Sequence, residues 1–399
     1  MITKFRVNNF KSLLNAEFRP VGLNLIIGPN NAGKTNLCSA LRFLALTSEH
    51  SLDAAALMST GERWNLTNVY VSAPSVIEME IECSLRHENE DLHFNYSLSL
   101  DIKKTDIVGA DTLSVKEERL AATGGRFNQT PLVKNTAGQT SMLHEEGFVQ
   151  QRLNTPYHAQ AKVAANATML SQLFELENNP RAILFRNYLR SWAYYNLSPD
   201  ALRLPDVAKD DGTLLHNGAN LSRALYALHN EKPRLERKLI DFIKQVEPKL
   251  DLFSFLSPDP EHVHLFFEDD KEHRFSTKSI SDGTLRFLAI AYVVLMSEQI
   301  ATLTGFPPLT LIEEPENGLY IGQLKPLIQH IDPSGSSGQF IFTSHSPYFI
   351  DLFDNNLAGV HLVKRGSPSS ILTQPNQDKI SRLLGDMSLG ELHFRELLA

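Results

Sequence analysis

Four short runs in this chain hold residue types whose spacing could do phosphate chemistry. The first is Gly28-Pro29-Asn30-Asn31-Ala32-Gly33-Lys34-Thr35. Glycines at both ends of such a loop let backbone amides approach an anion closely. Lys34 adds a point charge for the outer phosphates, and the Thr35 hydroxyl can reach a magnesium ion. The second is Glu313-Glu314, which ends the apolar run Leu309-Thr310-Leu311-Ile312. Adjacent carboxylates there are unfavourable unless cations or water compensate them. In a phosphate site Glu313 could hold Mg2+, and Glu314 could orient and deprotonate an attacking water. The third, Ser281-Asp282-Gly283-Thr284, opens a long apolar run. Ser281 and Asp282 are good helix N-caps, and a helix N-terminus is equally an anion site. The fourth is His345, between Ser344 and Ser346 after the apolar run Phe340-Ile341-Phe342-Thr343. A strand's C-terminal end is where α/β sheets bind ligands.

These groups need elements to hold them. Residues 2–7 and 22–27 are short apolar segments, the second feeding directly into Gly28. After Thr35, Leu37, Ala40, Leu41 and Leu44 recur at helical spacing, so the order is strand, glycine-rich loop, helix. Over 75–116 the period changes. Ile77, Met79, Ile81 and Cys83 alternate with Glu78, Glu80 and Glu82, and a second alternating run spans Leu92 to Ile102. Strict alternation predicts half-buried antiparallel strands with the glutamates outward. The polar stretch 120–160 predicts a loop. Helices are expected over about 168–196, interrupted at Asn178-Asn179-Pro180, and over about 219–247. Arg234, Arg237, Lys238 and Lys244 in the latter read as a solvated face, with a nucleic-acid or partner patch as the alternative. Short strands are expected over 252–275, a buried helix from about 282 to 299, and buried parallel strands at 309–312 and 340–343. The fold class is α/β: a mostly parallel core sheet, an antiparallel β part at 75–116 and a helical insert. Residues 1–140 and 250–399 are expected to form one discontinuous domain around an insert at 141–249.

Composition narrows the function classes. An apolar share of 42% excludes a disordered chain, and the net charge of −8 argues against a protein that coats a polyanion with its whole surface. Two cysteines, Cys38 and Cys83, cannot build a disulfide framework or a four-cysteine zinc site. The sequence opens without a basic, apolar leader, and its most apolar stretch, Phe287 to Met296, reads as a buried helix. The expectation is a cytoplasmic protein without a membrane partner.

Taken together, the four runs resemble the ABC-type P-loop ATPases of the RecF/SMC/OLD branch. The resemblance implies ATP and Mg2+ as cofactors. Gly28 to Thr35 matches the Walker A loop, with Asn30, Asn31, Ala32, Gly33, Lys34, Thr35 and Asn36 around the phosphates. Glu313 matches the Walker B magnesium ligand, together with Thr35, and Glu314 matches the catalytic base. His345 matches the switch histidine that senses the γ-phosphate. Ser281, Asp282 and Gly283 match the signature loop, which binds the γ-phosphate held by the other protomer of a head-to-tail homodimer. The opening Val7-Asn8-Asn9-Phe10-Lys11-Ser12 is similar to the branch's N-terminal stretch, where Lys11 would approach the nucleotide. The signature reads Ser-Asp-Gly-Thr rather than Ser-Gly-Gly-Gln, and Tyr320 stands where related chains often carry His. Gln172 and Gln129 are the candidates for the Q-loop glutamine. Long heptad arms are absent, and too few residues follow His345 for the Toprim nuclease domain of OLD proteins. Members of this branch serve in DNA repair and in anti-phage defence. The implied output is therefore a separately encoded effector, with DNA as a further candidate partner.

Two rival readings follow from the same residues. Pro258-Asp259 with Asp269-Asp270-Lys271 fits a loose nuclease pattern whose carboxylates would hold metal for phosphodiester cleavage. A nucleotide-gated scaffold with negligible turnover would use the ATPase residues only to order a dimer.

Overall fold

The computed structural model describes residues 1–398 except 63–64, 71–75, 88–89, 104–110, 125–129, 144–157, 174–178, 205, 208–212 and 260–261. Strands are numbered in chain order. The chain divides into two compact units. The first comprises Met1–Gly22, Ile27–Trp192 and His361–Gln374; the second comprises Leu23–Ile26, Ala193–Val360 and Pro375–Ala399. The stretch 141–249 contributes to both, divided between Trp192 and Ala193.

The first unit is organised by an antiparallel sheet of β1 (Ile2–Asn8), β2 (Ala16–Phe18), β4 (Val76–His87), β5 (Glu90–Lys103), β6 (Thr112–Thr123), β7 (Thr130–Thr136), β8 (Gln139–Leu143) and β9 (His158–Lys162). Their order is β2-β1-β4-β5-β6-β7-β8-β9. The alternation in β4 and β5 does what its period requires: Ile77, Met79, Ile81, Phe94, Tyr96 and Leu98 are buried, while Glu78 is exposed. The outward glutamates do not form a purely acidic face. Arg6 and Lys4 of β1 stand directly across the ladder from Glu80 and Glu82 and pair with them.

Within the loop expected over 120–160, the described residues are largely strand. Edge strands with one wet face tolerate Thr, Asn and Gln, because the ladder bonds backbone rather than side chains. The register is set by a two-residue turn, Ala137-Gly138, with φ of 48° and 86° between paired Thr136 and Gln139. A buried carboxylate, Glu118, ties this sheet to the chain beyond it. It accepts from Tyr96 Oη (3.1 Å), Asn135 Nδ2 (3.3 Å) and the amides of Met169 (2.6 Å) and Leu170 (3.2 Å). Burial pushes its pKa up, and these four donors oppose that shift. Among the described residues, the segment expected to be helical from 168 holds one 3-10 turn, Leu170–Gln172, and a helix, Pro180–Arg190. Proline at the helix's first position fixes where it begins.

In the second unit β10 (Ala193–Tyr195), β15 (Leu309–Glu313), β16 (Gln339–Ser344) and β3 (Leu23–Ile27) lie side by side in that order. β10 pairs with β15 and β15 with β16, both in parallel. β15 and β16 are buried at every residue, which explains their mainly apolar character. Ala193–Tyr195 is thus a strand rather than a helix end; three residues are too few to show a period. A second sheet holds β11 (Asp206–Val207), β13 (His262–Asp269) and β12 (Leu250–Asp259) in that order, with β14 (Arg274–Ser276) also on β13. The helical stretch at 219–247 is two helices, Leu221–Glu231 and Pro233–Val246, broken where Pro233 cannot donate. Arg234, Arg237 and Lys238 are exposed on the second, as a solvated face requires. The apolar helix, Asp282–Thr304, is buried throughout from Gly283 to Leu295. Its mean hydropathy of 1.6 and length would suffice to cross a bilayer, but 56% of that apolar window is buried within the fold.

The remaining strands, β17 (Val360–Lys364) and β18 (Ile371–Thr373), pair antiparallel. On β17, His361 is 1% exposed, its ring 4.6 Å from that of Phe18, and burial lowers its pKa to about 4. The unfolded chain, with an ordinary value near 6.5, therefore binds the extra proton first as pH falls. Stability is complete above about pH 6.5 and is lost towards pH 4. The share lost between pH 7 and pH 5 is about 2 kcal/mol at roughly 1.36 kcal/mol per unit. Urea unfolding at the two pH values should show that difference for the parent and a clearly smaller one for His361→Leu. Equal pH dependence in both chains would assign the acid sensitivity elsewhere.

Candidate functional site

The candidate residues fall into two groups, one in each unit. In the first unit, Gly28 to Gly33 leads into the helix Lys34–Leu46. Gly28 has φ of 156°, and a Cβ there would lie 2.1 Å from the Val363 carbonyl oxygen. Gly33 has φ of 113°, and a Cβ there would lie 2.3 Å from Ser370 Oγ. Both positions exclude a side chain on two counts. The helix that follows has no side-chain cap and no acidic residue in its first turn. Such an amide end is a positive pole that suits an anion. Lys34 Nζ donates to the carbonyls of Gly28 (2.6 Å) and Pro29 (3.2 Å), so the ammonium is held over the same loop. Asn30, Asn31 and Thr35 are exposed, and Ala32 is buried.

The N-terminal stretch braces this loop. Phe10 and Leu13 exchange backbone hydrogen bonds (3.1 and 2.8 Å), making a tight turn with Lys11 at φ of 50°. Ser12 Oγ accepts from Asn36 Nδ2 (2.7 Å) and from Ser370 Oγ (2.7 Å). Lys11 Nζ lies 3.4 Å from Glu62 Oε1. A pocket of about 520 Å3 opens beside Asn31, lined among others by Lys11, Asn68, Tyr70 and Arg365. Gln172 is exposed and meets Ser171 Oγ at 3.4 Å. Gln129 lies outside the described residues.

In the second unit, Glu313 is the last residue of β15 and is 8% exposed. Glu314 turns out of the strand with φ of 44°, a conformation that costs a side-chain-bearing residue about 1–2 kcal/mol. The turn is held on both sides. Glu314 N donates to Thr343 O (3.0 Å), and its carboxylate accepts from Asn317 Nδ2 (2.7 Å). His345, just past the end of β16, places Nδ1 3.4 Å from the other Glu314 oxygen. Parallel pairing of Glu313 with Thr343 sets these two chain ends level. The pair is about one-third to one-half exposed, so the carboxylate is oriented yet reachable.

Ser281 caps the helix Asp282–Thr304 by accepting from Thr284 N at 3.0 Å. Ser281 and Asp282 are exposed and Gly283 is buried. A Cβ on Gly283 would come within 2.6 Å of the Gly318 carbonyl, so this helix start abuts the turn that follows Glu314.

Three further residues join this group. Arg286 donates to Leu197 O (2.8 Å) and Glu314 O (3.4 Å), and burial pulls its pKa down. Glu316 is buried, accepts from Ser344 Oγ, and has its pKa raised by that burial. Arg203 binds the segment before the long helix.

The loose nuclease pattern resolves into a turn. Asp269 accepts from the amides of Lys271 and His273 (2.9 Å each), which close the β13–β14 hairpin. Among the described residues, no group of three His, Cys, Asp or Glu is arranged to hold a metal.

Comparison with known proteins follows the same lines. A family model described as "AAA domain, putative AbiEii toxin, Type IV TA system" matches residues 23–351. An "ATP/GTP phosphatase" of Helicobacter pylori is 23% identical over 368 residues, 89% of this chain and 88% of that protein. The "DNA replication and repair protein RecF" of Prosthecochloris aestuarii is 22% identical over 219 residues, 54% of this chain and 52% of its own. Among solved structures, an SMC head bound to the C-terminal winged-helix domain of ScpA aligns over 96% of this chain and 99% of that one. Its TM-score is 0.57 at 12% identity, a likeness of fold alone.

Proposed function

Because the chain belongs to this AAA-domain family of P-loop ATPases, with RecF and SMC heads as relatives in sequence and fold, we propose that it binds ATP–Mg2+ and hydrolyses it by in-line attack of water. The observation that carries this reading is the Glu314 turn: a carboxylate in a strained backbone, oriented by Asn317 and facing His345. Strain kept at a held, reachable carboxylate is a mark of function.

The residues present suit the nucleotide. Gly28 and Gly33 leave a cradle that a Cβ would fill, and the helix behind it begins without a side-chain cap or an acidic first turn. In our reading Asn30 to Asn36 bind the phosphates, with Lys34 moving its ammonium from the loop carbonyls to the outer phosphates. The pocket beside Asn31, with Lys11 at its edge, takes the nucleoside. Thr35 and Glu313 hold Mg2+, which when bound neutralises phosphate charge. Glu314 takes the proton of the attacking water, and His345 keeps that carboxylate in place and senses the γ-phosphate.

Two copies close head to tail on two nucleotides, each offering Ser281, Asp282 and Gly283 to the other's γ-phosphate. Closing and reopening would pass to a separately encoded effector in a defence setting, with DNA as a further candidate partner. Support for that last step is the family's description and the RecF relatives' printed role in DNA replication and repair.

Phosphate release from MgATP by the purified chain tests the reading. Lys34→Ala should lower ATP affinity by about 100-fold or more, since the phosphates lose a charge-assisted donor in a desolvated cradle. Parent-like affinity in a titration with a fluorescent ATP analogue would remove Lys34 from the site.

A further inference from the structure

The segment that opens the long helix carries a carboxylate where it is least expected. If Ser281 to Gly283 face a polyphosphate, Asp282 brings a negative charge towards negative charge. The structure contains a counterweight. Arg203, which follows the short helix Pro199–Leu202, spreads its guanidinium across this segment. Nε and Nη2 both reach Asp282 Oδ1, the former at 3.2 Å. Nη2 also donates to Ile280 O at 2.7 Å, and Nη1 donates to Thr277 O. Thr277 Oγ1 returns a hydrogen bond to Arg203 O at 3.4 Å. One planar fork thus fixes three points of the segment between Thr277 and Asp282, a geometry that a lysine cannot reproduce. A second cation on the long helix, Arg286, is already engaged by Leu197 O and Glu314 O. The Arg203 side chain is 21% exposed against 58% for Asp282, so the cation is the buried member and the carboxylate the outward one.

We infer that Arg203 is a positioning residue for the signature segment: it fixes the path from Thr277 to Asp282 and neutralises Asp282, so that the segment can close on a triphosphate held by a second copy. This rests on the shared-site reading above and names what makes that segment competent. Arg203 itself touches no substrate. Its removal should impair closure and turnover but not the first binding of ATP to a single chain.

The test is a two-residue cycle of Arg203→Ala, Asp282→Asn and both together, with Ser281→Arg alongside. Three readouts are taken: affinity for a fluorescent ATP analogue at dilute protein, ATP-driven association by sedimentation velocity, and kcat. Arg203→Ala should keep ATP affinity within about twofold and lose about tenfold or more in kcat and in association, the pattern of an interaction absent from ground-state binding. Adding Asp282→Asn to Arg203→Ala should recover about fivefold of that loss, because the unpaired carboxylate is then gone. A merely structural arginine would not be rescued in this way. Parent-like turnover in Arg203→Ala, or no recovery in the double variant, overturns the assignment. Should Arg203→Ala fail to melt cooperatively, Arg203→Lys carries the test: charge is kept, the fork is lost, and full parental kcat would overturn the role. If Ser281→Arg is as active as the parent, the shared-site reading is what has failed, and the proposal falls with it. If Ser281→Arg is inactive while Arg203→Ala is not, only Arg203 has been misassigned.

Discussion

The Glu314→Gln chain should bind ATP with parental affinity and hydrolyse it at least about 100-fold more slowly, the range over which a positioned general base acts. The substitution is nearly isosteric. A Gln oxygen can still accept from Asn317 Nδ2, and the backbone bond from residue 314 to Thr343 is untouched. The turn therefore keeps its shape, and what disappears is the ability to take a proton. Closed dimers should accumulate, because closure needs ATP and reopening needs hydrolysis. Phosphate release and sedimentation in MgATP give the two readouts. The neighbouring carboxylate supplies the internal comparison. Glu313 is buried at the end of β15, so Glu313→Gln should weaken the response to Mg2+ rather than spare binding. Normal turnover in Glu314→Gln together with loss in Glu313→Gln would reverse the two roles.

Much of this site was legible in the sequence because its parts are local. A phosphate loop needs glycines at fixed offsets, and Gly28 and Gly33 prove to sit where a Cβ has no room. Glu313 and His345 could be placed at strand ends because β15 and β16 are short, mainly apolar runs with abrupt polar ends. What could not be read were partners brought in from far along the chain. Arg203 lies 79 residues before Asp282, just after a helix of four residues with no pattern of its own. Glu118 looked like one more polar residue on a half-wet strand. It is fully buried only because two amides some 50 residues later turn towards it. The β7–β9 edge failed for a different reason. Its Thr, Asn and Gln composition is that of a loop, and only the backbone ladder makes it a sheet. Legibility followed contact range: residues set by their neighbours in sequence were found, and residues set by tertiary partners were not.

Whether the active site is shared between two copies has the second large expected effect, and it can be read from two inactive chains. Lys34→Ala removes the phosphate countercharge, and Ser281→Arg obstructs the segment offered to the other copy. Each should be inactive alone. Ser281 is exposed and caps its helix, so its replacement costs about 1 kcal/mol and leaves the fold standing. In a mixed head-to-tail dimer one site inherits both defects. The other joins an intact Lys34 loop from the Ser281→Arg chain to an intact Ser281 segment from the Lys34→Ala chain. Equal mixing with free exchange makes half the dimers mixed, each with one sound site, so activity should return to about a quarter of the parental rate for a twofold-symmetric pair. The rate should peak at equal amounts and fall to background at either end. Differentially tagged chains, pulled down together in MgATP, confirm that mixed dimers exist. A flat background with mixed dimers present has two explanations, a site built wholly within one chain or a requirement that both sites fire. Counting ATP retained per mixed dimer separates them. A site within one chain leaves the Ser281→Arg chain retaining ATP no better in mixed pairs than alone, whereas a joint-firing requirement leaves one ATP trapped and uncleaved in each mixed pair.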